Sequence, residues 1–116
     1  MHTTTEPILP SLARLAVYRK ALTAAGLVLS LPLQGSLRDQ MHRAAESVLL
    51  CVAEGAGEHG WAAKARYYSI AKASLWELSA ALDLFTLRRG PSAQVDRIGG
   101  LLRELDAMLS SLARKR

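Results

Sequence analysis

Residues 52–61 read Val52-Ala53-Glu54-Gly55-Ala56-Gly57-Glu58-His59-Gly60-Trp61, and their glycines spell G-x-G-x-x-G. That spacing cradles a dinucleotide pyrophosphate only where it follows a strand and opens the helix of a βαβ unit. An acidic residue must then stand roughly 20 positions on for the ribose. Asp83 is at about that distance. The residues before Gly55 decide the matter. Leu37, Met41, Ala44, Val48, Cys51 and Val52 recur in helical steps of three and four, and a strand would need alternation instead. A helix therefore runs into Gly55, and Asp83 falls in the middle of the next one. The motif becomes a turn between helices. Gly55 is expected to end the first helix, Gly57 to relax the turn, and Gly60 to let the two helices cross closely before Trp61.

The same period continues on either side of this turn. Upstream, Leu15, Tyr18, Leu22, Ala25 and Leu29 mark a helix over residues 11–31. It stops before Pro32 because the residue preceding a proline is pushed out of the helical region. Ser36 is a candidate N-cap for the second helix, 36–55. Downstream, Tyr67, Ile70, Ala71, Ser74, Leu78, Ala81, Leu82 and Phe85 mark a helix over 60–88, ended by Gly90-Pro91. Val95, Ile98, Leu102, Leu105, Leu109 and Leu112 mark the last, 92–113, with Ser92 as its N-cap. Four amphipathic helices with short connections predict an all-α, antiparallel up-down four-helix bundle. Residues 1–10, rich in Thr and Pro, are expected to be a flexible segment ahead of a single domain over 11–116.

Composition agrees. Half of the 116 residues are hydrophobic and few are aromatic, with Ala and Leu, both strong helix formers, in the majority. A chain of this length buries about two-thirds of its unfolded surface, so it can fold without disulfides or metal. The single Cys51 excludes an internal disulfide and suits a reducing cytoplasm. The charge-free run between Lys20 and Arg38 is broken by Pro32 and Gly35 and is shorter than the roughly 20 residues of a membrane span. A cytoplasmic protein without membrane contact is expected.

The outward faces carry apolar residues of their own. On the helical wheel Leu27 and Leu31 fall opposite the Leu15–Leu22–Leu29 stripe. Leu50 falls among Asp39, Arg43 and Glu46, and Trp76 falls beside Lys72 and Asp83. A helix apolar on two sides is buried on two sides, so Leu27, Leu31, Leu50 and Trp76 are candidate contacts of a homo-oligomer.

Catalytic chemistry is harder to find. Bundle enzymes aim carboxylates and histidines inward, often in E-x-x-H motifs, and no E-x-x-H occurs here. His42 and Glu46 form an i, i+4 pair on an outward side. Glu54, Glu58 and His59 lack a fourth ligand for a metal. Ser74 has no base placed to activate it. No enzyme, cofactor or metal site is predicted. The alternative, a small-molecule or metal site hidden in the bundle, would have to use Ser74, Tyr67, Glu54 or Glu77, with Glu77 otherwise pairing with Arg66 or Lys72.

Three segments resemble a known family. "LRDQMHRAAESVLLCVAEGAGE" is similar to the signature of bacterial four-helix bundle proteins encoded within intervening sequences of 23S ribosomal RNA genes. There the second helix carries Gln, a basic residue, paired alanines, Ser, and Asn-Ile-Ala-Glu-Gly. "ARYYSIAKASLWELSAAL" resembles the third helix, and "LAVYRKALTAAGLVLSLP" the first. Accessory proteins of diversity-generating retroelements resemble the same family. Gln40, Arg43, Ala44, Ser47, Ala53, Glu54 and Gly55 match in the second helix. Arg66, Tyr67, Ile70, Ala71, Ser74, Leu75, Glu77 and Leu78 match in the third. Cys51 stands where asparagine is usual, Glu58 where arginine is usual, and Ala73 where glycine is usual. The resemblance implies a ring-forming homo-oligomer, a pentamer, whose general role is not established, and the retroelement relatives imply basic surfaces that meet RNA or DNA.

A net charge of +5 and a pI near 9.9 permit such contact. Lys64, Arg66, Arg88, Arg89, Arg114, Lys115 and Arg116, near helix ends, are the candidate phosphate contacts, gathered on one rim of a ring. The expected function is therefore a non-enzymatic homo-oligomeric adaptor with basic surfaces for nucleic acid.

Overall fold

The structure, a computed structural model, describes residues 5–114. Among the described residues the chain is all-α, with no strand. The helices are α1 (Pro10–Ala13), α2 (Ala16–Leu29), α3 (Gly35–Gly57), α4 (Trp61–Arg89) and α5 (Ala93–Arg114). The 29 residues of α4 make a rod about 43 Å long at 1.5 Å per residue. That is the long dimension of the molecule, 43 × 25 × 22 Å. The cross-section admits two helix diameters of about 10–12 Å each way. The main contacts run α2 to α3, α3 to α4, α4 to α5 and α5 back to α2, with α3 on α4 the most extensive.

Side-chain bonds fix the directions. Ser30 at the end of α2 accepts a hydrogen bond from Gln94 at the start of α5, at 3.1 Å, and Lys20 reaches Glu104 at 2.7 Å. These helices are therefore antiparallel. Ser47 bonds Ser74 at 2.7 Å, and Gly55 lies against Tyr68, which sets α3 antiparallel to α4. The core between them is apolar throughout, and no polar or charged side chain is buried among the described residues.

The first helix differs from expectation in extent and in face. It is split, because Leu15 is extended (φ −91°, ψ 117°). Pro10 opens the short α1, and the Arg19 guanidinium closes it by donating to the Ala13 carbonyl. The buried stripe of α2 is Val17, Ala21, Ala24 and Val28, continuing to Leu31. This is the expected stripe rotated by one residue. The reading of Leu27 and Leu31 as outward oligomer contacts is therefore corrected, for they are only 3% and 6% exposed, while Leu29 is 53% exposed. Small alanines face α3 and α5 and let the helices approach closely, so the leucine series alone gives the wrong phase. In α4 the core residue is Tyr68, with Tyr67 half-buried and Ile70 exposed. Ser92 caps α5 as expected, accepting from the Val95 N–H at 3.1 Å.

Candidate functional site

The α3–α4 turn is built by close approach. A Cβ on Gly55 would lie 2.8 Å from Cε1 of Tyr68, so glycine is what admits the ring there. This corrects two expectations. Gly55 does not end its helix, which continues to Gly57, and Gly60 meets nothing within 4 Å. The end of α3 is held by Lys64, whose ammonium donates to the carbonyls of Gly55 and Ala56 at 3.1 and 3.0 Å. A cation there satisfies carbonyls the helix leaves open and meets the negative end of its dipole.

Glu54, the turn's acidic residue, faces Tyr67. Its hydrogen bond and its charge raise the Tyr67 pKa, helped by burial and by Glu58 and opposed by Arg66, whose guanidinium lies 6.0 Å from the Tyr67 ring centre. Two turns away along each helix, Ser47 and Ser74 share their 2.7 Å bond, and the Cys51 thiol lies 3.9 Å from Ser47. Ser47–Ser74 fixes one point of a seam between α3 and α4, and Glu54, acting on Tyr67, marks its turn end. Between them the helical period sets Leu50 beside Ile70, both exposed, at 61% and 39%. Beyond Ser47–Ser74 it sets Arg43 beside Glu77. These two are exposed, and no ion pair joins them or joins Glu77 to Arg66 or Lys72.

The other predicted site residues are dispersed. Trp76 is 63% exposed on the far side of α4, where its Nε1–H donates to Asp106 at 2.9 Å and Lys72 lies 5.7 Å from its ring. His42 and Glu46 border a groove between α2 and α3 and form no ion pair. The basic residues do not make one rim. Lys64, Arg66 and Arg114 are at the end of the molecule that holds the α3–α4 turn, and Arg88 and Arg89 are at the opposite end. Arg66 and Arg88 are separated by about 33 Å of helix. Lys115 and Arg116 lie outside the described residues. Among the described residues no three His, Cys, Asp or Glu side chains converge as metal ligands, and no helix is long and apolar enough to cross a membrane.

The model of the 23S rRNA-intervening sequence protein family matches residues 13–111. The chain belongs to this family. Its fold is shared with the crystal structure of a protein of unknown function from the S23 ribosomal protein family of Bacteroides thetaiotaomicron. The TM-score is 0.74 at 18% identity, covering 86% of this chain and 100% of that one. No curated protein matches. Of the fifteen residues that carry the family resemblance, eight sit on the seam just described, Gln40, Arg43, Ser47 and Glu54 on α3 and Tyr67, Ile70, Ser74 and Glu77 on α4, while Ala44, Gly55, Ala71, Leu75 and Leu78 are buried in the core. Sequence reading took Tyr67, Ile70 and Ser74 as core residues. A wheel drawn on α4 alone cannot separate its core side from its α3-facing outer side, and that distinction needed the Ser47–Ser74 contact.

Proposed function

We propose that this chain is a non-enzymatic, cytoplasmic up-and-down four-helix bundle that assembles with copies of itself, as a pentameric ring by family resemblance, and presents basic helix ends to RNA or DNA. One observation carries the reading. The exposed apolar pair Leu50–Ile70 and the unpaired Arg43 and Glu77 lie on the same seam as the family-like residues. A family pattern confined to the core would serve folding. A pattern that runs along an exposed surface mixing apolar residues with unpaired charges of both signs serves association. The closed bond between Ser47 and Ser74 leaves those hydroxyls as seam packing and offers no nucleophile with a base beside it.

Multi-angle light scattering of the purified protein tests this. The expected mass is a multiple of one chain, and replacing Leu50 and Ile70 by glutamate should reduce it to one chain with helicity intact. A wild-type mass of one chain would refute the oligomer.

A further inference from the structure

We infer that copies associate head to tail, the α3–α4 seam of one copy seated on the α4–α5 side of the next, with both pointing the same way. The inference rests on the oligomeric reading above and adds which two surfaces meet. The α4–α5 side has two hollows. One, of about 470 Å³, is floored by Ser79, Ala80 and Gly99 and flanked by Asp83 and Arg103. The other, of about 390 Å³, is floored by Ser69, Ala73 and Ser110. The Trp76–Asp106 hydrogen bond separates them. Gly99, inside α5, lines the first hollow. Within the chain a Cβ there would meet only the tip of Arg103, at 3.6 Å, so no internal packing requires the glycine, and its bare backbone leaves room for a neighbour's side chain.

The seam supplies what these hollows lack. Leu50 and Ile70 project at the height of Ile70 along α4, level with the hollow around Ser69 and Ala73. The charges also match. The seam has Arg43 and Glu77 without partners, and the α4–α5 side has Asp83 and Arg103 without partners. Glu77 and Asp83 stand six residues apart on α4, about 9 Å, with Arg43 beside Glu77 on α3 and Arg103 across the hollow from Asp83 on α5, so parallel copies would pair Glu77 with Arg103 and Arg43 with Asp83. The two surfaces differ from each other, and such an interface propagates from copy to copy until a ring closes. Both border α4, which is also the helix with exposed Ile70, Trp76, Leu84 and Leu87 around its circumference. Because both surfaces border it, this packing makes α4 the helix nearest the ring axis.

Two variants with exposed substitutions test the pairing. Leu50→Glu/Ile70→Glu spoils the seam and leaves the hollows intact. Ser69→Glu/Ser79→Glu spoils the hollows and leaves the seam intact. Each alone should run at the mass of one chain, and an equimolar mixture should run at two, because one good interface survives in the mixture. A mixture that stays at one chain, or a hollow variant that keeps the wild-type mass, overturns the inference. A wild-type mass of one chain would instead refute the oligomeric reading beneath it. Charge exchange gives an independent readout: Arg43→Glu should lower the mass, and adding Asp83→Arg should restore it. Failure of the restoration also overturns the pairing.

Discussion

Gly55 and Gly57 are two residues apart in the same turn, and the structure gives them opposite roles. A methyl on Gly55 would enter the Tyr68 ring at 2.8 Å, whereas one on Gly57 meets nothing within 4 Å. Gly55→Ala should therefore destabilise by about 1–3 kcal/mol, the usual cost of overpacking. Gly57→Ala, in a helical position, should be neutral or stabilising by up to about 1 kcal/mol. Urea unfolding of the two variants decides it, and equal effects would remove the close-approach account. Glu54 is tested differently. Its hydrogen bond and charge hold the Tyr67 pKa above the ordinary 10.0, and burial raises that of Tyr68. A raised folded-state value means the folded chain holds the proton more tightly. The associated stability is present below pH 10.0 and is lost as pH rises through the raised values. Glu54→Gln removes the repulsion, so Tyr67 should ionise at lower pH than in the wild type. A tyrosinate absorbance titration that does not change would sink the Glu54–Tyr67 contact.

At the scale of the helices, the sequence disclosed existence and order but not always phase. Where large apolar residues dominate one face, as with Val95, Ile98, Leu102, Leu105 and Leu109 of α5, the wheel gives the buried stripe directly. In α2 two interleaved series compete, one of leucines and one of alanines and valines. Helix–helix distance chooses between them, and a single sequence does not state that distance. The same limit hid the seam, since its α3 and α4 halves became one surface only through contacts between residues 27 apart. The corrected phase has a direct consequence. Leu27→Ala should cost about 2–5 kcal/mol, as for a buried leucine, and Leu29→Ala less than about 1 kcal/mol, as for an exposed one. Denaturant unfolding that ranks them the other way would restore the original face. Lys64 offers a second lesson. A lysine near a helix end looks like a phosphate contact in a list of charges, yet its ammonium already holds two backbone carbonyls.

For the whole molecule, the proposed nucleic-acid contact has to be assigned to one end, because the cations divide between two. At the α3–α4 turn, Lys64 is committed to carbonyls and Arg66 lies close to Tyr67 with Glu54 and Glu58 nearby, which, among the described residues, leaves Arg114 as the uncommitted candidate cation of that end. At the far end Arg88 and Arg89 are exposed at the close of α4, with Arg89 stacked 5.8 Å from the Phe85 ring centre and no ion pair to either. Parallel copies in a ring would repeat this arginine pair around one rim, so a phosphate backbone laid across it could touch several pairs at once. Each phosphate neutralised releases counterion and adds about 0.9 to the slope of log affinity against log salt on duplex DNA. Arg88→Gln/Arg89→Gln should therefore lower that slope by about 2 for each subunit in contact, alike for unrelated sequences, because phosphate contacts do not read bases. Arg66→Gln should leave it unchanged. Fluorescence polarisation with duplex DNA and with RNA, across a salt series, measures both. An unchanged slope in the Arg88/Arg89 variant would move the interface away from this rim. No retention of either nucleic acid by the wild type at low salt would end the nucleic-acid reading and leave self-assembly as the property to explain.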